Sequence, residues 1–329
     1  MPGSTAIEWT DATWNPVTGC TQVSAGCDHC YAKTFAERFR SVPGHPYAQG
    51  FDLRLWPNRL AVPLHWRKPR RVFTNSMSDL FHADVPTEFI ASAFAVMAAC
   101  PRHTFQVLTK RPQRMRRLMT DPTFLDAIDA AADQIAGNLG WRHLNLPEPF
   151  PWPLPNVWLG VSVESQDVAW RIDWLVRTPA AVHFLSCEPL LGPLDLTPWI
   201  GCPHDAAHGT GNSDADEWEC DECGAIYRYV DDPEGRIEFC RGDPAPRRRA
   251  RREIVRPGRQ VDWVITGGES GIGHRPIDAD WARGIRDQCV AAGVPYFHKQ
   301  NGGRTPKAGG RELDGRTWDQ FPSLQRAPR

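Results

Sequence analysis

The sequence has no apolar run long enough to cross a membrane; its longest, Ile90 to Cys100, covers about half a span and is amphipathic. No N-terminal stretch joins a basic region, an apolar run and a small-residue cleavage site. Secretion is therefore not expected, and a cytoplasmic protein is. Nor is there a surplus of charge. Lys and Arg number 38 against 39 Asp and Glu, a formal net charge of −1 that points to no partner. A glycine-rich dinucleotide fingerprint after the first strand is missing, which weighs against a Rossmann fold. Cysteine, by contrast, is plentiful: ten in 329 residues. Disulfides are disfavoured in a reducing compartment, so close-spaced cysteines there favour metal sites.

Short β-rich runs alternate with amphipathic helical patterns. The expected strands are Ala6–Thr10, Arg71–Asn75, Thr104–Thr109, Val157–Val163, Val182–Ser186, Val261–Thr266 and Pro295–Lys299. Several are near-continuous apolar runs, as parallel strands covered on both faces should be. Between them, helices are expected over Thr87–Ala99, from Asp121 to about Gly137, near Gln166–Arg177 and near Asp280–Ala292. Such alternation indicates an α/β protein with a parallel sheet; a full or partial (β/α) TIM-like barrel is its natural closure, and a doubly wound open sheet is the alternative, because the sequence does not reveal strand order. The barrel would take residues 1–200 and 260–329. Residues 138–156 (NLGWRHLNLPEPFPWPLPN) break the alternation as an ordered excursion covering the barrel, and 201–259 form an inserted module.

Seven cysteines fall into two groups. The first, Cys20, Cys27 and Cys30, lies in WTDATWNPVTGCTQVSAGCDHCYAKTFAERF, with a helix expected from about Asp28. Structural zinc wants four protein ligands. Three thiolates at C-x6-C-x2-C, with no fourth nearby, suit a four-iron cluster that leaves one iron open. A zinc knuckle completed by His29 or His45 is the other reading. Gly19 and Gly26 each precede a cysteine and let the backbone fold tightly. Tyr31, Phe35 and Phe39 are expected to pack the following helix on the core. Cys100, Cys187 and Cys289 are expected to be buried core residues.

The opening IEWTDATWNPVTGC, with GC and CYA following, resembles a phage- and prophage-associated family of three-cysteine-motif proteins. GVSVESQ (160–166), FLSCEPLLGPLDL (184–196) and DWVITGGESGIGHRP (262–276) are similar to that family too. The resemblance implies a radical S-adenosylmethionine (SAM) enzyme. Its partial barrel would carry a [4Fe-4S] cluster on Cys20, Cys27 and Cys30, with SAM on the open iron and cleaved to a 5′-deoxyadenosyl radical. It also implies a protein reductant, a separately encoded partner protein, and a nucleotide or nucleic-acid base as substrate. Two features depart from the general radical SAM pattern. The first cysteine gap is six residues instead of three, and TNSMSDLF (74–81) stands where a Gly-Gly-Glu stretch is usual.

Charged and polar residues gather at strand ends: Asn75 and Asp79, Lys110, Ser162 and Glu164, Glu188, then Gly267, Gly268 and Glu269, and Lys299. Charges at one end of many apolar strands suggest a shared polar cavity. For SAM, Asn75, Ser162, Glu164, Glu188 and Glu269 would be the acceptors, and Lys110 or Lys299 the cation.

The insert carries Cys202, Cys220, Cys223 and Cys240 at C-x17-C-x2-C-x16-C, which resembles a zinc ribbon with a strand expected over Ala225–Val230. A second iron–sulfur cluster is the alternative there, and His204 or His208 could replace one cysteine. The insert ends in PAPRRRARREIVRPGR, and a second basic run holds Lys110, Arg111, Arg114, Arg116 and Arg117. Both suit solvated surface or a nucleic-acid backbone. The rival to the radical enzyme is thus a zinc-stabilised nucleic-acid-binding protein.

Overall fold

The computed structural model describes residues 5–201, 260–305 and 307–323, with the backbone of 207–209, 217–220 and 226–228. Seven parallel strands make the main sheet: β1 (Ala12–Trp14), β2 (Arg71–Thr74), β3 (Thr104–Thr109), β4 (Val157–Ser162), β5 (Val182–Cys187), β6 (Trp263–Gly267) and β7 (Tyr296–Gln300). Their order in the sheet is their order in the chain. A doubly wound sheet would reverse at a switch point; sequential winding with helices outside is that of a β/α barrel.

The sheet is curled into a half-barrel. Trp9, just before β1, lies 6.1 Å from Trp263 of β6, ring centre to ring centre. In a flat sheet, five strand spacings of about 4.8 Å would separate β1 from β6 by about 24 Å. Phe73, Trp158, Phe184, Trp263 and Phe297 fill the concave face around Trp9. Gly160 admits Phe184, whose ring lies 2.5 Å from where a Cβ would stand. The C-terminal segment then closes the floor. Asp319 bridges Phe297 on the free edge of β7, Trp263 Nε1 donates to Gln320 O at 2.8 Å, and Phe321 lies between Trp263 and Arg71. This blunts an exposed sheet edge.

The outer layer is α1 (Tyr31–Glu37), α2 (Thr87–Ala98), α3 (Pro112–Met119), α4 (Thr123–Leu139), α5 (Arg171–Val176) and α6 (Ala279–Ala291). α2 is buried almost throughout, with α4 packed against it. Trp152, within 138–156, packs on Phe94 of α2 and Phe124 of α4, so the excursion covers the barrel on the side of its outer helices. Among the described residues no helix is long and apolar enough to cross a membrane. Cys100, Cys187 and Cys289 are fully buried, as expected.

Three expectations need correction. The first strand is Ala12–Trp14 and not Ala6–Thr10, because Ile7 and Trp9 are spent on the barrel floor and Asp11 starts the ladder by pairing with Arg71. The helix near Asp28 begins at Tyr31 and buries Ala32 and Ala36, leaving Tyr31 and Phe35 exposed. The basic run after the third strand is not all solvated surface: Lys110 and Arg111, just before α3, turn inward to Glu164 and Asp79, while Arg114, Arg116 and Arg117 lie on α3, which also buries Met115, Leu118 and Met119.

In the insert, Ala207–Gly209, Glu217–Cys220 and Ile226–Arg228 form an antiparallel three-stranded sheet. Cys220 ends the middle strand. Its side chain, and Cys202, Cys223, Cys240, His204 and the arginine linker, lie outside the described residues.

Trp263 is fully buried among five rings. Trp263→Ala should therefore cost about 3–5 kcal/mol in urea unfolding; a loss below about 1 kcal/mol would contradict this closure.

Candidate functional site

Along each strand the concave side chains change from apolar to polar. Trp158, Gly160 and Ser162 follow one another on β4, and Phe184, Ser186 and Glu188 run along and beyond β5. On β7 Phe297 gives way to Lys299, and a register shift beside Thr266 and Gly267 brings Gln300 to the wall as well. The aromatic floor thus passes into a polar cavity of about 510 Å³ at the C-terminal ends of the strands, where barrels place their chemistry. Cys20, Cys27 and Cys30 all line it, as do Asn75, Asp79, Lys110, Ser162, Glu188, Gly268, Glu269 and Lys299. Glu164 and Gly267 stand behind this wall.

The cysteine loop is fastened to its neighbours. Val17–Thr18 pairs with Arg54–Leu55, and Gly19, at φ +84°, passes within 2.2 Å of Asp52 O measured from a Cβ position, which only glycine allows. Asn15 Oδ1 accepts from Met77 N at 2.9 Å, and Ser78 Oγ donates to Val17 O at 2.8 Å, joining the loops after β1 and β2. Arg111 donates to Thr21 O at 3.1 Å and to the Cys20 sulfur at 3.5 Å, and it pairs with Asp79 at 2.9 Å. Arg275 spans Glu269, Asp28 and the carbonyl of Ala25.

Glu164 is the centre of these ties. Its Oε1 accepts from Ser24 Oγ at 2.9 Å and from Lys110 Nζ, and its Oε2 from Arg171 at 2.8 Å. Gly26 lies so close above the carboxylate that a Cβ would fall 2.3 Å from Oε1. Burial raises its carboxyl pKa, but the charges and hydrogen bonds of Lys110, Arg171 and Ser24 outweigh it and hold the pKa below the ordinary value. Asp79 is equally engaged, by Thr109, Lys110 N, Arg111 and Phe81 N. The sequence places Asp79 among the cavity residues and singles out Glu164 and Glu269 as ligand acceptors; in the structure all three hold loops. Arg111, Arg171 and Arg275 complete these ties. Arg111 stood in the sequence only within a basic run, and the signal for the other two, an arginine six or seven residues past a strand-end glutamate, was faint.

Other groups are less committed. Glu188 and Lys299 pair at 2.9 Å inside the cavity, with Gly267 making room for the carboxylate. Among the described residues, Asn75, at φ +64° and 2% exposed, has no hydrogen-bond partner for either amide atom, and Gln300 Oε1 has none either. Buried polar atoms in native proteins are nearly always paired, so these suit a polar ligand.

The donor set also suits a metal cluster. Burial pushes the Cys20 thiol up to about 11 and raises that of Cys30. Such thiols stay protonated at neutral pH until a metal's charge compensates the thiolate. Among the described residues no three His, Cys, Asp or Glu side chains are gathered around a point that would hold a single ion. A four-iron cluster asks for less convergence, since each thiolate takes a different iron.

Fold and site together define a partial parallel β/α barrel with a three-cysteine loop across its mouth. The family model described as "Protein of unknown function (DUF5131)" matches residues 4–322, and the chain belongs to that family. No curated protein and no solved structure matches it.

Removing the Glu164 charge leaves Lys110 and Arg171 facing a neutral group, so Glu164→Gln should cost about 3–5 kcal/mol at neutral pH. A carboxyl with a depressed folded pKa stabilises above its unfolded value and loses that contribution as pH falls through the folded one. The gap between wild type and Glu164→Gln in urea unfolding should therefore narrow below about pH 4.5. A gap independent of pH would contradict the ionised hub.

Proposed function

We propose that the chain is an iron–sulfur enzyme of the radical SAM kind, acting on a nucleotide or a nucleic-acid base. One observation carries the reading. Three thiols line a single polar cavity at the C-terminal mouth of a sequentially wound parallel half-barrel. Cys20, Cys27 and Cys30 would hold the cluster, which when bound supplies an electron for reductive cleavage of SAM.

The chain's own residues orient the ligand and exclude water. SAM carries an ammonium and a carboxylate on one carbon. It can therefore exchange partners with the Lys299–Glu188 pair, Lys299 taking the carboxylate and Glu188 the ammonium, with no change of net charge. Asn75, Ser162 and Ser186 offer hydrogen bonds to ribose or base. Gly268, closely backed by Asn301 O, keeps that wall free of a side chain. Asp79, Lys110, Glu164 and Glu269 position the loops, and the aromatic floor seals the barrel from below. In the insert, Cys202, Cys220, Cys223 and Cys240 would bind structural zinc.

The test is anaerobic incubation with SAM and dithionite, scored for 5′-deoxyadenosine. Wild type should form it, while Cys27→Ala should lose both iron and activity. Glu188→Gln should keep its iron and lose about tenfold or more in SAM cleavage, the effect of one charge-assisted hydrogen bond. Cys220→Ser should lose zinc and keep the barrel's iron. Colourless wild-type protein that binds only zinc would favour the rival nucleic-acid-binding reading.

A further inference from the structure

Asn75 follows β2 in a left-handed conformation that costs an asparagine more than a glycine. Its backbone is tied at both groups: N donates to Trp14 O at 2.8 Å, and O accepts from Ser78 N at 3.2 Å. The buried carboxamide is tied to nothing among the described residues. Asparagine is tolerated in this conformation when its side chain bonds locally, and that reason is missing here. The residue lines the cavity instead.

Its surroundings are apolar and aromatic. Phe73, two residues back on the same face of β2, lines the cavity with Ile7, Trp9 and Leu108. The indole nitrogen of Trp9, also at the cavity wall, lacks a partner among the described residues, as Gln300 Oε1 does. All of these unpaired atoms are neutral. Lys110 and Arg111, the cations just past neighbouring β3, already face Glu164 and Asp79. A phosphate would gain little at this flank, whereas a flat neutral heterocycle gains an apolar bed and partners for its edge. Enzymes that act on a base hold it in this way, against apolar side chains and by hydrogen bonds to its edge.

We propose that the β2 flank of the cavity binds the substrate's base, with the Asn75 carboxamide making paired hydrogen bonds to an edge that carries an N–H beside an acceptor. The inference rests on the enzymatic reading above and assigns recognition to the base and not to the phosphate. Hydrogen abstraction needs two ligands in one cavity. SAM is matched by Glu188 and Lys299, with Ser162 and Ser186 on the adjoining strands. Asn75 lies three strands from Glu188, about 14 Å along the sheet, which leaves its flank to the second ligand.

Isothermal titration of the anaerobically purified full chain with adenosine, guanosine, cytidine and thymidine, each with and without SAM, tests it. At least one nucleoside should bind, its 5′-monophosphate should bind no more tightly, and SAM should not displace it. Glycine suits φ +64° and removes the amide. Asn75→Gly should therefore unfold in urea no earlier than wild type, yet bind that nucleoside about ten- to hundredfold more weakly, the effect of two lost hydrogen bonds. No nucleoside binding under either condition, tighter binding of the monophosphate, displacement by SAM, earlier unfolding of Asn75→Gly, or wild-type affinity in that variant would each overturn the proposal. Because binding is read without reductant, such a result alongside intact 5′-deoxyadenosine formation would leave the enzymatic reading standing.

Discussion

The arrangement of the mouth depends on one buried carboxylate. Glu164 takes a hydroxyl from the cysteine loop, an ammonium from the end of β3 and a guanidinium from α5, with Gly26 laid against it. A charge 1% exposed is tolerable only with partners, and these come from three separate parts of the chain. Satisfying the charge therefore fixes where the cysteine loop sits. Arg275, bound to Glu269 and reaching Ala25 and Asp28, ties the same loop from the far side.

Beneath this polar layer the half-barrel is closed by rings. Trp9 from before β1 and Phe321 from the C-terminal segment meet Trp263. Residues near both ends of the chain thus contribute to one floor, and the curl of the sheet brings them together. The floor and the charged loops divide the labour: one gives the barrel its closure, the other gives the mouth its geometry.

Much of this was legible in the sequence. Six of the seven strands lie where β-rich apolar runs put them, within about two residues, because parallel strands buried on both faces leave a strong pattern. The cavity residues followed from that, since strand ends converge once strand order is sequential. What stayed hidden was pairing. Nothing in the spacing of Glu164, Lys110 and Arg171 says that one carboxylate will meet both cations, and so a loop-holding group resembled a ligand group. Tyr31 and Phe35 misled for a related reason. An aromatic stripe at helical spacing is ordinarily core, but Ala32 and Ala36 let α1 pack closely on its small-residue side and turned the rings outward.

The most direct test of the central claim is electron paramagnetic resonance of anaerobically reconstituted, dithionite-reduced protein before and after addition of SAM. A site made of Cys20, Cys27 and Cys30 with one iron left open should give a reduced four-iron signal that changes when SAM is added. Protein that shows no such signal, or a signal indifferent to SAM, would contradict it.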